Sequence, residues 1–167
     1  MTHAELIVAV ARWLRKKRYR VVLEDVQCTL VNELPDAIAW KSHGASVLVE
    51  AKASRSDFLR DRKKRFRYDA ARGMGYRRYY AIPQPAKGQT AIVTETDDIG
   101  GWGLLYVGHL GGVRVVKNSG PFSKRNEAGE RALLVSAVSR VTEGWGRKMF
   151  GSEAPLAPDG APPPSTA

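Results

Sequence analysis

The stretch Ser46-Val47-Leu48-Val49-Glu50-Ala51-Lys52 decides the fold. Its residues 47–49 are an uninterrupted apolar run, which is typical of a central strand covered on both faces. Another apolar stretch, residues 37–40, precedes it across the polar segment Lys41-Ser42-His43-Gly44, which favours a turn. The two stretches are therefore predicted to pair as neighbouring strands of one sheet.

Helices and further strands are predicted on either side of this hairpin. Thr2 and Glu5 match a capping box, in which each side chain binds the first-turn backbone of a helix. By apolar periodicity, the predicted elements are a helix over residues 2–18, strands over 19–26, 37–40, 46–52 and 78–82, a helix from Ser54 or Ser56 through residue 71, a hairpin of 103–107 and 113–116, and a helix over 127–141 with Leu133, Leu134, Ala137 and Val138 on its inner side. This order favours an α/β fold in which helices pack on a mixed central sheet.

The composition predicts one domain over residues 1–150. With 167 residues and 43% hydrophobic content the chain can bury a core. Residues 151–167 hold five of the nine prolines and are expected to be disordered. Cys28 is the sole cysteine, which excludes an internal disulfide. No apolar run reaches the roughly 18 residues of a membrane span, and no secretory pattern opens the chain, so a cytoplasmic or nucleoid location is expected.

Two charged side chains stand at the end of the apolar strand. Glu50 and Lys52 are two residues apart, so a strand projects both from one face and points Ala51 into the opposite layer. A strand this apolar is not expected to end in two charges on one face without a reason. A third charge, in Pro35-Asp36, lies at the entry to the preceding strand.

The hairpin register decides whether Asp36 joins the other two charges. If the turn centres on His43, Asp36 lies opposite Glu50, and if it centres on Gly44, Asp36 lies opposite Lys52. A shift of one residue would move Asp36 to the other face of the sheet. The sequence leaves this register open.

Two carboxylates beside an ammonium group suit phosphodiester hydrolysis. Mg²⁺ prefers oxygen ligands, so Asp36 and Glu50 would supply carboxylates and the backbone carbonyl of Ala51 a further oxygen. Such a metal polarises phosphorus and acidifies a water for in-line attack. Lys52 would orient that water or offset charge in the transition state. Mg²⁺ is therefore the expected cofactor, with Mn²⁺ as a substitute.

The pair Pro35-Asp36 and the next strand's Glu50-Ala51-Lys52 together resemble the motif of the PD-(D/E)XK nuclease superfamily. Within it, the chain is most similar to MmcB-like DNA-repair-associated proteins, over residues 47–58, 61–63, 78–83 and 102–105. The resemblance implies a restriction-endonuclease-like αβββαβ core and Mg²⁺-dependent DNA cleavage in repair, recombination or phage and mobile-element DNA processing. Many members carry a glutamate on the first helix, which makes Glu5 a candidate metal ligand as well as a helix cap.

The second predicted helix concentrates basic side chains in a chain of net charge +10. The candidate DNA contacts are Arg55, Arg60, Arg62, Lys63, Lys64 and Arg67. Phosphate backbones attract such side chains without sequence preference; the other interpretation is a solvated face with ion pairs to Asp57 and Asp61. For Tyr68, Tyr76, Tyr79 and Tyr80, base stacking competes with packing in the core.

Three functions follow as hypotheses. The first is a DNA endonuclease, with RNA as a substrate and a homodimer both left open. The alternative is a protein that binds nucleic acid without cutting it, on a nuclease fold. The third is a small interaction protein of a phage or mobile element. No role is assigned to the scattered histidines, His3, His43 and His109.

Overall fold

The computed structural model describes residues 1–26, 28–29, 31–94 and 97–150, and the side chains as far as residue 142. The tail expected to be disordered, residues 151–167, lies outside the described residues. The helices and strands of the described part are α1 His3–Lys16, β1 Val21–Glu24, β2 Ala37–Trp40, β3 Ser46–Ala51, α2 Arg55–Asp61, α3 Arg65–Tyr68, β4 Arg77–Pro83, β5 Gly103–Val107, β6 Val113–Lys117 and α4 Glu127–Phe150.

The strands form one mixed sheet in the order β1-β2-β3-β4-β5-β6. β1, β2 and β3 are antiparallel neighbours, β3, β4 and β5 run parallel, and β6 returns antiparallel to β5. β3 is buried along its whole length, as expected of a central strand with both faces covered. The predicted α/β class, with helices on a mixed sheet, is confirmed.

Helix α1 covers one face of the sheet. Thr2 Oγ1 accepts the Glu5 backbone N–H, and a Glu5 carboxylate oxygen accepts the Thr2 N–H, so the predicted capping box is present. The inward stripe of α1 packs on alanines and valines of β2 and β3; its fully buried large side chains are Leu6, Val10 and Leu14. Each such burial stabilises the fold by about 1.5–3 kcal/mol.

The opposite face is covered by α2, α4 and loops. Phe58 of α2 and Leu133 of α4 join Tyr80 and Trp102 in one core cluster. The Tyr80 ring stacks on Trp102 with centroids 4.6 Å apart and meets Phe58 edge-on at 5.1 Å. Buried Glu130 accepts hydrogen bonds from side chains of β2 and β3, which fixes α4 to the sheet.

The single helix predicted through residue 71 is wrong. The chain breaks into α2 and α3 at Lys64, whose backbone is extended with φ −70° and ψ 136°. The break turns Arg67 inward, where its guanidinium meets the Asp61 carboxylate and two further carboxylates. Tertiary ion pairing therefore overrides the local helical preference of this segment.

Smaller differences affect β1 and α4. β1 ends earlier than predicted because Asp25 adopts a positive φ of 48°, a conformation that no strand accepts. Helix α4 continues past residue 141 to Phe150. Val138, predicted on its inner side, is 59% exposed because this part of α4 lies beyond the core cluster. Among the described residues, the helices are too short or too polar to span a membrane.

Candidate active site

The β2–β3 hairpin turns around His43. Ala37 pairs with Val49 and Trp40 pairs with Ser46, and continuing this register by one residue places Asp36 opposite Glu50. Of the two registers that the sequence left open, the observed one is therefore the register in which Asp36 lies opposite Glu50. Asp36, Glu50 and Lys52 lie on the same face of the sheet, the one that carries α2 and α4.

The backbone of Ala51 ties Asp36 to the end of β3. Its N–H donates to Asp36 Oδ2 at 2.7 Å, while the Ala51 side chain packs with the α1 layer, as predicted. The next N–H, from Lys52, donates to the Ala81 carbonyl at 2.8 Å, which extends the β3–β4 ladder past the end of the strand. The positions of these side chains are thus set by main-chain hydrogen bonds.

Lys52 lies among three carboxylates. Its Nζ is 3.1 Å from Glu50 Oε2, 3.4 Å from Asp61 Oδ1 and 4.0 Å from Asp36 Oδ2, and the side chain is buried. Burial lowers the pKa of Lys52, but the charges of Glu50, Asp61 and Asp36 outweigh it and hold the pKa above its usual range. The raised pKa favours the protonated form of Lys52 at neutral pH, which suits a role through its charge.

Arg67 lies next to Lys52 and is not a surface residue. Its side chain is 4% exposed, and the guanidinium is 2.5 Å from Glu33, 2.6 Å from Asp61 and 2.9 Å from Glu50. Three buried carboxylates hold the Arg67 donors in the interior, which is not the exposed position expected of the predicted DNA contact. Burial lowers the pKa of Arg67, but the negative charges of Glu50, Asp61 and Glu33 outweigh this effect and hold the pKa above its usual range. The guanidinium therefore stays charged.

The pKa values of the buried carboxyl groups in the cluster shift in different directions. Burial raises the pKa of Glu50, against the lowering effect of Arg67 and Lys52. Burial likewise raises the pKa of Glu33 to about 7. Burial also opposes ionisation of Asp61, but its hydrogen bonds and ion pairs with Arg67 and Lys52 keep the pKa of that carboxyl below its usual range.

The cluster therefore contains more carboxylates than cations. The carboxylates of Glu33, Asp36, Glu50 and Asp61 face two buried cations, Lys52 and Arg67. The half-exposed Lys64 adds a third cation at the rim, 3.0 Å from Asp61. Burial, rather than this imbalance, is the largest cause of the raised pKa of Glu33 and of Glu50.

Glu5 does not join this cluster. Among the described residues, its carboxylate is hydrogen-bonded to the cap residue Thr2, which lowers the pKa of Glu5. The residue of α1 that reaches the site is His3, whose Nε2 lies 3.2 Å from Asp36 Oδ2. Glu5 thus acts as the helix cap, and sequence reasoning gave His3 no role.

Most of the remaining candidate DNA contacts lie near the site but pair with acids. Arg55 and Arg62 both contact Asp97, and Arg60 lies 3.8 Å from Asp57. Lys63 is exposed and makes no ion pair within the described part of the chain. Arg60 thus pairs within the segment, as the alternative interpretation expected, whereas Arg55 and Arg62 pair with an acid outside it and Lys63 has an exposed side chain.

Sequence reasoning also missed Glu33 and Asp61 as members of the cluster. A signal for Asp61 exists, since it follows the buried Phe58 by three residues and helical spacing places both on one face. Glu33 lies in a segment without helix or strand periodicity. Its partners, Arg67 and the Met74 N–H, are distant in sequence, so no local pattern predicts it.

The residues that could hold a metal are Asp36 and Glu50. Within the described residues nothing donates to Asp36 Oδ1, and Glu50 Oε1 has no aligned hydrogen-bond donor although Arg67 lies 2.9 Å away. No group of three or more His, Cys, Asp or Glu side chains in the described ranges is arranged to hold a metal ion. A metal here would need backbone and water oxygens to complete its coordination.

Comparisons with known proteins inform the fold alone. No family model matches the chain, and no curated protein matches it. A solved structure, a protein of unknown function from Silicibacter pomeroyi, is similar with a TM-score of 0.56 at 18% sequence identity. The alignment covers 94% of this chain and 99% of that one, so the likeness extends over nearly the whole fold.

Proposed function

We propose that the chain is a metal-dependent nuclease of the PD-(D/E)XK type that hydrolyses phosphodiester bonds in DNA. The observation that carries the proposal is the convergence of Asp36, Glu50 and Lys52 at the end of β3. The observed order α1, β1, β2, β3, α2, α3, β4 supports the proposal, because apart from the short α3 it matches the αβββαβ order that the sequence resemblance implies. Repair, recombination and mobile-element DNA processing are the settings that the resemblance suggests.

The donor set fits a hard divalent cation. Asp36 offers Oδ1 and is 20% exposed, while Glu50 offers an oxygen that lacks an aligned donor. Oxygen ligands with room for water are what Mg²⁺ requires, and the carbonyl of Ala51 remains the expected third ligand. When bound, the metal would polarise the phosphorus and lower the pKa of a water.

The protein groups around that position have separable roles. Asp36 is held in place through Oδ2 by the Ala51 N–H and by His3, which leaves Oδ1 to face a ligand. Lys52 stays protonated, so it acts by charge: it stabilises negative charge that develops on the phosphate and orients a nearby water. The exposed side chains of Lys63 and Arg60 would bind the sugar-phosphate backbone.

The alternative is a protein that binds nucleic acid without cutting it. It is favoured by the state of Glu50, which is 2% exposed and lies between the Arg67 guanidinium and the Lys52 ammonium. A carboxylate compensated in this way can serve stability without ever binding a metal. The alternative predicts salt-sensitive binding that survives the loss of the Glu50 charge.

Cleavage assays with charge-neutralising variants separate the two functions. Plasmid, linear duplex, single-stranded and branched DNA are incubated with Mg²⁺ or Mn²⁺ and the products resolved on gels, with a single-stranded RNA as a further substrate. Lys52→Met should slow cleavage roughly 10²–10³-fold, the loss expected for one group that stabilises transition-state charge, and Asp36→Asn should abolish it. The matched control is Asp57→Asn, which removes an α2 carboxylate outside the cluster.

The outcomes decide between the proposals. Cleavage that disappears in Asp36→Asn, slows by roughly 10²–10³-fold in Lys52→Met and persists in Asp57→Asn supports the nuclease. Binding without cleavage of any substrate, unchanged in Glu50→Gln, supports the binding protein. Equal cleavage by Asp36→Asn and the unsubstituted protein would rule out this active site.

A further inference from the structure

A cavity of about 340 Å³ opens beside the candidate active site. Two of its lining residues contact the charge cluster directly. The Tyr80 hydroxyl donates to Asp61 Oδ2 at 3.3 Å, and Arg67 lies 2.9 Å from Glu50. A group in this cavity would therefore lie adjacent to the position proposed for the scissile phosphate.

The cavity lining combines aromatic and apolar side chains with the charged side chains of Arg62, Arg67 and Asp98. Tyr80, Trp102 and Phe122 form its walls together with Ile99. Trp102 is buried, and its indole N–H has no hydrogen-bond partner among the described residues. An indole nitrogen this deeply buried is out of reach of a ligand in the cavity, so recognition here rests on stacking and charge at the rim.

The cavity rim carries an exposed aromatic ring and a cation. Tyr68 of α3 is 70% exposed, whereas Tyr79 and Tyr80 are buried in the sheet. Of these tyrosines, Tyr68 therefore offers a free ring face. Arg62, also at the rim, is partly exposed and lies 3.5 Å from Asp97. A stacking surface next to a guanidinium is the combination that binds single-stranded nucleic acids.

We infer that this cavity receives one unstacked nucleobase of a single-stranded nucleic acid, next to the phosphate that the site would cleave. Tyr68 stacks on the base at the rim, and Arg62 contacts its phosphate. The inference rests on the proposed function and adds a substrate class to it. A base inside an intact duplex must first be unpaired, so single strands and unpaired ends are preferred over duplex.

The test compares single-stranded and duplex binding in the full chain. Fluorescence anisotropy follows a short labelled DNA strand, alone or annealed to its complement, at one salt concentration and without added metal so that the strand stays intact. The variants are Tyr68→Ala and Tyr68→Phe. The control is Leu110→Ala, which removes an exposed large side chain at the β5–β6 turn.

The unsubstituted protein should bind the single strand more tightly than the duplex. Tyr68→Ala should weaken single-strand binding about tenfold, the effect of one lost base stack, and leave duplex binding unchanged. Tyr68→Phe retains the ring and should bind like the unsubstituted protein, as should Leu110→Ala. Tyr68 is exposed, so these variants are expected to fold.

Failure of this inference differs from failure of the proposed function. Equal affinity for both DNA forms, or single-strand binding unaffected by Tyr68→Ala, overturns the nucleobase site even if the protein cleaves DNA. A loss in Tyr68→Phe equal to that in Tyr68→Ala also overturns it, since the ring would then not be the binding element. Absence of both binding and cleavage for every nucleic acid overturns the proposed function, and the nucleobase site with it.

Discussion

Replacing Arg67 by methionine tests the central role that the structure gives to this buried cation. The guanidinium lies within 2.9 Å of carboxylate oxygens from Glu33, Glu50 and Asp61, and the side chain is 4% exposed. Methionine keeps much of the length of the side chain but removes all its donors and its charge. The substitution leaves three buried carboxylates, of which Lys52 contacts only Glu50 and Asp61.

The expected loss is large compared with the stability of a domain. Removing one partner of a buried ion pair destabilises a protein by about 3–5 kcal/mol, because the other charge stays buried without compensation. For a domain of this size the melting temperature should fall by roughly 6–20 °C, at about 2–4 °C per kcal/mol. Protonation of the carboxyls relieves the penalty, so the loss should be smaller at pH 5 than at pH 7.

Urea unfolding at pH 7 and pH 5, followed by circular dichroism, measures this effect. The matched control is Lys63→Met, which removes an exposed cation from the same segment and should change the free energy of unfolding by less than about 0.5 kcal/mol. Arg67→Lys should be intermediate, because a single ammonium cannot replace the planar fork of donors. A loss below about 1 kcal/mol in Arg67→Met, or an equal loss in Lys63→Met, would refute the reasoning, given the size expected for a buried pair.

Two further predictions concern Glu33 and Gly103. The pKa of Glu33 is raised from 4.5 to about 7, so its contribution to stability is fully present below about pH 4.5 and is lost as the pH rises through 7, by at most about 3 kcal/mol. In Glu33→Gln this part of the pH dependence should be absent from urea midpoints measured between pH 4.5 and 7; an unchanged profile would contradict it. A Cβ at Gly103 would lie closer than 3.0 Å to the Tyr79 ring, so Gly103→Ala should lower stability by about 1–3 kcal/mol in thermal unfolding. Gly112→Ala, where nothing lies within 4 Å of the added Cβ, is the control and should lose less.

The sheet elements were predictable because their signals are local. The apolar run at 47–49 identified β3, and the turn at 41–44 identified its hairpin with β2. The capping box of Thr2 and Glu5 located the start of α1 within one residue. The long helix through residue 71 was wrong, since its break depends on carboxylates that lie far away in sequence.

The candidate site was predictable in part for the same reason. That Glu50 and Lys52 share a face follows from the two-residue period of a strand. The position of Asp36 could be predicted only if the hairpin register was known, because a shift of one residue would have placed Asp36 on the α1 side of the sheet. Asp61 and Glu33 reach the site through the packing of α2 and of a loop, which no local periodicity records.

The sequence by itself determined a central strand that ends in Glu50 and Lys52 on one face, because burial and the strand period are properties of adjacent residues. The tertiary structure alone decided that Asp36 lies opposite Glu50, and that His3 rather than Glu5 reaches that aspartate. It also decided that Arg67 is an interior cation and not a surface contact. Charges interact over distances in space, and residues far apart in sequence become neighbours only when the sheet and its covering helices have packed.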